Sequence, residues 1–405
     1  MNLEVRLFGQ KIGLLSDETV NGVAVFEFQK EYSGHNPSPF ALQKRDGLIA
    51  PTNPLKGVHG CFADSLPDYF GDGAMDQWFR QKGLIPDQVS SLQRLGYVGD
   101  RGMGAFEYFP DLGASDGDFI KALDEIYLER CARAVTEGDA DSIPGEFLKA
   151  ASSLGGARPK LTIGINPKDP SKIVLGNWRL RSEYEPWILK VDVSPEKHYG
   201  QIEHAFLIMA ARAGIQTSPS RVICLKEEKI DHHHFATKRF DRSGSDKLHC
   251  HSLAGLLERD FTRNETTYKE LLIVAKRLTS DIQVSKEFLQ RAIFNYLARN
   301  CDDHAKNHGF VMDPKGVWNA SPAYDLTPSA GEGRRGIHAM LVNEGIGSEP
   351  TLMEWQNLGA EIGIKKSEVT DMYDRVKTAI STWDQIADEA HIPERRRKEI
   401  AQLFL

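Results

Sequence analysis

From the N-terminus, apolar residues first recur in short strand-like runs at Val5–Phe8, Val23–Phe28 and Phe106–Phe109, separated by stretches rich in Gly, Pro and Asn. Met1 to Arg6 alternates apolar and polar positions, as a half-buried strand does. The period then lengthens. Ile120, Leu123, Tyr127 and Cys131 recur every three or four residues, which predicts a helix from Gly117 to Glu137. Gly138–Gly145 is mostly polar or small and reads as a linker. Strand patterns return at Leu161–Ile165, Ile173–Leu175 and Trp187–Val193, with a turn over Pro167–Pro170. Ile202–Ala213 reads as an apolar helix. Beyond residue 250 helical periods dominate, broken by one strand pair between Phe310 and Trp318. The clearest helix is Ser285–Asn300, with Ser285 as its expected cap and a stripe of Phe288, Leu289, Ala292, Ile293, Tyr296 and Leu297. The pattern predicts an α+β chain in three parts. A small mixed unit spans 1–115, a linker helix and β-rich lobe 116–245, and a mostly α-helical lobe 246–405.

Composition narrows the function classes. The 405 residues include 57 acidic and 50 basic side chains, a net charge of −7, which argues against a whole-protein binder of nucleic acid or anionic membranes. The five cysteines (Cys61, Cys131, Cys224, Cys250, Cys301) are odd in number and form no CxxC pair, so a disulfide framework or zinc ribbon does not fit. The N-terminus lacks the basic and apolar regions of a signal peptide, and the apolar run Ala205–Ala211 is too short to span a bilayer. The expectation is a soluble cytoplasmic protein with no membrane association.

The stretch richest in chemistry follows the Ser285–Asn300 helix. Asn300 to Asn307 are polar or small, and a turn at Asp313–Gly316 should reverse the chain and return Asp325 towards Asn307. Asp302 and Asn307 stand five apart, the D-x-x-x-x-N spacing of a kinase catalytic loop. There the Asp accepts the proton of the attacking hydroxyl and the Asn holds Mg²⁺; Asp325 would be the second metal ligand. One Asp, one Asn and phosphate oxygens suit that hard cation. In Trp187–Val193, Lys190 shares a strand face with Ile188 and Asp192. A mid-strand ammonium needs a charged partner, and Glu203, at the start of the Ile202–Ala213 helix, can supply one. Before the Leu161 strand, Ser152, Ser153, Leu154, Gly155, Gly156, Ala157, Arg158, Pro159 and Lys160 form a small-residue loop of the kind that lets backbone amides approach phosphate. It matches neither GxGxxG nor GxxxxGK[ST]. Gly-rich loop, strand Lys, helix Glu, D-x-x-x-x-N and Asp occur in kinase order.

Those segments, together with Lys238–Arg242, Pro322–Asp325 and the N-terminal Phe62–Pro67 and Val98–Gly104, resemble the HipA family of bacterial serine/threonine kinases, the toxin halves of toxin–antitoxin pairs. The Asp302–Asn307 loop is highly specific to it. The resemblance implies a bilobal protein-kinase-like fold behind a small N-terminal domain, with ATP and Mg²⁺ as cofactors. Asp302 would be catalytic, with Lys190 and Glu203 positioning ATP. Gly155–Lys160 would be the phosphate loop, and Lys238, Arg239 and Phe240 the hinge that meets adenine. His304, Lys306 and Tyr324 would lie near the nucleotide, and Asn307 and Asp325 would hold the metal. Ser153, or the adjacent Ser152, would be autophosphorylated as an off-switch. The implied substrate is a protein, such as an aminoacyl-tRNA synthetase. The implied partner is a HipB-like helix-turn-helix antitoxin, through which alone the chain would meet DNA. A small-molecule kinase and a catalytically silent co-repressor remain as rival readings.

Other patterns in the chain carry no chemistry of their own. His232–His234 has no spaced partner for a metal site. Gly113–Gly117 matches GxSxG only by letter, and Ser115 or Asp116 reads better as a helix cap. Gly331–Gly336 is flexible and basic without an assignable role, and Arg395–Lys398 reads as a solvated helix face.

Overall fold

The computed structural model describes residues 1–17, 22–113, 121–123, 125–139, 143–152, 154–176, 182–227, 230–243, 246–329, 337–343 and 349–405. Strands Val25–Phe28, Gln10–Ser16, Asn2–Leu7 and Phe106–Phe109 form an antiparallel sheet in that order. The N-terminal alternation works as expected, with Leu3, Val5 and Leu7 buried on one face. The first hairpin turns at Phe8 and Gly9, both with positive φ, so the first strand stops at Leu7. Helices Phe70–Gln81 and Ser91–Val98 complete this unit.

A six-stranded antiparallel sheet follows in the order Lys121–Ala122, Asp169–Leu175, Lys160–Asn166, Glu185–Lys190, Ile230–Lys238 and Ser220–Glu227. Its first strand corrects the predicted Gly117–Glu137 helix. Lys121 and Ala122 pair with Leu175 and Val174, and the helix covers only Glu125–Glu137. Between Ile120 and Leu123 the helical period rested on a single interval, and the open sheet edge offers backbone partners there. Ile120 lies outside the described residues. The strand expected over Trp187–Val193 ends at Lys190. Asp192 stops it, because its carboxylate accepts the amides of Ser194 (3.2 Å) and His233 (3.0 Å) and turns the chain, leaving Val193 exposed.

Helix Tyr199–Arg212 leads from this sheet to the helical lobe, built from Tyr268–Thr279, Ile282–Leu297, Leu352–Ile362, Lys366–Ser381, Trp383–Glu389 and Glu394–Ala401. A small sheet of His249–Ser252, Gly309–Met312 and Trp318–Ala320 lies beside them. The expected cap was misplaced by one turn. Asp281 caps the long helix by accepting the Gln283 amide at 2.8 Å, while Ser285 is buried and donates to Leu272 O at 3.3 Å. All six stripe residues are buried as predicted.

The fold is α+β and kinase-like, with a β-rich lobe and a largely helical one. The N-terminal unit is no appendage. One apolar core runs from Leu3, Phe26 and Phe62 into Leu253, Phe288 and Trp355 of the helical lobe. A second joins Phe70 and Ala74 to Leu161, Trp187 and Leu189 under the β lobe. Among the described residues, no helix is long and apolar enough to cross a membrane.

Candidate active site

A cavity of about 490 Å³ opens where the three parts meet. Lys190 closes its β-lobe wall. Trp187 and Leu189 go into the core, so the alternation turns Lys190 the other way. Its Nζ lies 2.5 Å from Glu203 Oε1 and also bonds Asp325. Two carboxylates are what a buried ammonium requires. Burial lowers the Lys190 pKa, but Asp325 and Glu203 outweigh it and hold the group charged. For Asp325 burial acts upward, and Lys190 and Lys160 pull its pKa well below the carboxylate range. Lys160 sits directly across the ladder from Lys190. Burial brings it down to about 8, with Asp325 opposing and Lys190 reinforcing the shift.

The Asn300–Asn307 loop is fixed from behind. Asn300 Nδ2 donates to Asn295 Oδ1 at 3.0 Å, the Asp302 amide to Ser329 Oγ at 2.8 Å, and Asn307 Nδ2 to Asp302 O at 2.9 Å. The hairpin returns the chain as expected, and the Tyr324 hydroxyl donates to Lys306 O at 2.8 Å. Tyr324 also stacks on Phe240, with ring centroids 6.0 Å apart. His304 packs on Phe261 at 4.7 Å, and burial lowers its pKa.

Behind Asp302, the fully buried Asp303 accepts from the Tyr268 hydroxyl (2.6 Å) and the Ala339 amide (2.8 Å) and pairs with His338 Nδ1 (2.9 Å). Burial depresses His338, but Asp303 and Cys301 outweigh it and push it up to about 9. A raised folded-state pKa stabilises fully below the unfolded value and is lost as pH rises through the folded one. We therefore expect stability to fall between pH 6.5 and about 9, by on the order of 3 kcal/mol. Urea midpoints across that range check it, and a His338→Asn variant should lose this slope.

In the Gly155–Lys160 loop, Gly156 takes φ +99°, a conformation side chains rarely adopt. The Arg158 guanidinium lies 3.9 Å over the Tyr199 ring, and Pro159 O accepts the Val191 amide at 2.8 Å. Gly155, Gly156, Ala157, Arg158 and Lys160 line the cavity. Ser152 is buried and donates to the Tyr97 hydroxyl at 3.0 Å; Ser153 lies outside the described residues. At the expected hinge, the Lys238 and Arg239 amides donate to Pro219 O (2.9 Å) and Pro186 O (3.0 Å), so these donors are already engaged. The Lys238 ammonium pairs with Glu185 at 2.8 Å. The Arg239 guanidinium is buried against Asp241, which also pairs with Arg242.

The cavity thus gathers Lys190, Glu203, Asp302, His304, Lys306, Asn307, Tyr324 and Asp325 from segments far apart in the chain. It also includes Asp64, Asp68, Tyr69 and Met103 of the N-terminal unit, to which sequence reasoning assigned no role. Asp64 and Met103 fall in the Phe62–Pro67 and Val98–Gly104 segments that carry the resemblance, whereas for Asp68 and Tyr69 nothing local marks a contact across some 240 residues. Metal capacity rests on Asp325 and the Asn307 amide oxygen, since the Asn307 nitrogen is committed to Asp302 O. Two oxygens supplemented by phosphate suit Mg²⁺. Among the described residues, no cluster of three or more His, Cys, Asp or Glu could hold a metal.

The His232–His234 and Arg395–Lys398 runs are structural features. His232 and His234 bracket the Asp192 backbone, at 3.0 and 2.8 Å. Arg395, Arg397 and Lys398 pair with Glu399, Asp388 and Glu394 on an exposed face. Ser115, Asp116 and Gly331–Gly336 lie outside the described residues.

Comparison with known proteins agrees with this architecture. The family model of the HipA-like C-terminal domain matches residues 152–383, and that of the HipA N-terminal domain matches residues 3–109. The kinase-named protein Y4dM of Sinorhizobium fredii is 24% identical over 342 residues, 80% of this chain and 76% of that one. The serine/threonine-protein kinase toxin HipA of Shewanella oneidensis is 25% identical over 206 residues, 44% of this chain and 43% of that one. A chain of the Shewanella oneidensis MR-1 toxin–antitoxin complex of HipA, HipB and operator DNA superposes with a TM-score of 0.69 at 18% identity, covering 99% of this chain and 94% of that chain. With one family model spanning more than half of its length and the other most of its N-terminal unit, the chain belongs to the HipA family.

Proposed function

We propose that the protein is an ATP- and Mg²⁺-dependent serine/threonine protein kinase of the toxin type. The observation that carries this reading is Lys190, within hydrogen-bond reach of both Glu203 and Asp325, in a cavity shared with Asp302 and Asn307. Asp325 and Asn307 would hold Mg²⁺, which neutralises phosphate charge when bound. Lys190, fixed by Glu203, contacts the α- and β-phosphates. Asp302 orients the acceptor hydroxyl and takes its proton. The loop Gly155–Lys160 covers the phosphates, and Lys238–Phe240 with Tyr324 borders the base. Little covalent chemistry is asked of the protein, so positioning and electrostatics do the work. The β-rich lobe (116–245) would bind nucleotide, the helical lobe (246–405) would catalyse, and the N-terminal part (1–115) would pack against both. The acceptor is a protein, and a component of translation suits a toxin. A HipB-like helix-turn-helix protein would neutralise it and connect it to DNA.

Ser153, or Ser152, would be the self-modification site. A phosphate adds about −1.5 to −2 charge and repels ATP. Ser152 would have to leave its seat against Tyr97 to be an acceptor. Phosphosite mass spectrometry after incubation with Mg-ATP tests the reading. Phosphate on this loop, absent in Asp302→Asn, is the expected result. No phosphate, with nucleotide bound, would favour a catalytically silent binding module.

A further inference from the structure

Asp68 and Lys306 stand 238 residues apart in the chain, yet they form an ion pair. Asp68 belongs to the N-terminal unit, and Lys306 lies in the catalytic loop. The Asp68 side chain is only 8% exposed. Its other oxygen, Oδ1, is held by Lys56 at 3.1 Å, and Lys56 in turn pairs with Asp72 at 3.0 Å. Burial alone would raise the Asp68 pKa, but Lys306 and Lys56 bring it below its usual value, so the carboxylate is ionised.

The pair sits against the phosphate loop. A Cβ added at Gly155 would lie 3.0 Å from Asp68 Oδ2 and 3.9 Å from the Lys306 ammonium. The same unit holds the loop's base. Tyr97 accepts the Ser152 hydroxyl, and a Cβ at Gly71 would strike Leu154 O at 2.4 Å. Tyr69, next to Asp68, has φ +44° and ψ −102°, a strained backbone of the kind that surroundings must enforce. Lys306 ends a flexible four-carbon stem and lies 5.5 Å from the Phe261 ring centroid. Without a fixed anion its ammonium would sample many positions.

We infer that Asp68 is a positioning residue for phosphoryl transfer: it holds the Lys306 ammonium where the phosphate loop meets the catalytic loop, so that the N-terminal unit completes the active site. This rests on the kinase reading above. Asp68 does not touch the reacting atoms; it acts through Lys306.

Steady-state kinetics of Asp68→Asn, Asp68→Glu, Lys306→Met and the double variant Asp68→Asn/Lys306→Met test it, with autophosphorylation and ATP turnover as readouts. Thermal melts identify any variant that fails to fold. Asp68→Asn should lower kcat roughly ten- to a hundredfold, the scale of a misplaced contact, with a much smaller change in KM for ATP. Asp68→Glu should recover part of the loss. In the Lys306→Met background, Asp68→Asn should add less than about twofold, since its only route of action is gone. If Asp68→Asn does not fold, Asp68→Glu carries the test: a kcat loss that disappears in the Lys306→Met background supports the inference. Unchanged kcat, or equal losses in both backgrounds, overturns it. Wild-type protein without ATP turnover overturns the kinase reading itself, whereas wild-type turnover beside an unaffected Asp68 variant overturns this inference alone.

Discussion

Asp302→Asn should bind nucleotide as tightly as the wild type and transfer phosphate about 10²- to 10⁴-fold more slowly, the range for losing a general base. The structure gives the reason for separating the two effects. Asp302 reaches the loop's framework through its backbone, with its amide on Ser329 Oγ and its carbonyl taking Asn307 Nδ2. Both bonds survive the substitution, so Asn307 keeps its place. The Lys190 ammonium, proposed to meet the ATP phosphates, is held by Glu203 and Asp325 rather than by Asp302. Titration with a fluorescent nucleotide, set beside single-turnover transfer, checks the expectation. Parallel loss of affinity, in a variant that melts like the wild type, would mean that Asp302 binds rather than catalyses.

Asp241→Ala should be among the most destabilising single substitutions in the chain, by about 3–5 kcal/mol. Asp241 is wholly buried. It accepts from Arg239 Nε (3.0 Å) and Nη2 (2.7 Å), Arg242 Nη1 (2.5 Å) and the Gly104 amide (2.8 Å). Both guanidiniums also reach Gly102 O, and Arg242 reaches Gly104 O, so the cluster ties the Arg239–Arg242 segment to the N-terminal unit. Removing the carboxylate leaves two cations desolvated side by side, which costs far more than a lost contact. Burial raises the Asp241 pKa, but Arg239 and Arg242 reverse that and leave it at about 2. A depressed carboxylate stabilises above its unfolded pKa, near 3.9, and the contribution disappears as pH falls towards about 2. The variant should therefore show a lower urea midpoint at neutral pH and a shallower acid limb. Equal midpoints would show that the cluster relaxes at little cost.

The elements legible in the sequence are those whose signal is local. Phe106–Phe109 and the Ile282–Leu297 stripe follow from periodicity, and the Asp302–Asn307 loop from spacing. Lys190 and Glu203 were legible because a charged residue in an apolar strand needs a partner. Competition among local bonds was harder to read. Asp281 rather than Ser285 caps the long helix, and Asp192 ends a strand that hydropathy would extend. Partners distant in sequence were not legible. Asp68 looks like any turn residue beside Pro67, and the expected hinge role of Arg239 gave no hint that its guanidinium is buried against Asp241. Their places depend on the docking of the N-terminal unit, which no window of sequence contains.

That docking bears on how the chain is made. His249 reaches Pro37 O at 2.7 Å, and Glu258 accepts the Thr52 and Asn53 amides, so the N-terminal unit closes against residues synthesised much later. At about 5–20 residues per second, roughly ten to forty seconds separate its emergence from that of its partners. Over that interval Phe62 and its neighbours lack the Leu253, Phe288 and Trp355 side of the core they share in the folded chain. A ribosome that stalls before the helical lobe would release an aggregation-prone fragment with no assembled cavity. The cavity, lined by residues from Asp64 to Thr327, can assemble only after the segments of the helical lobe that line it have been made.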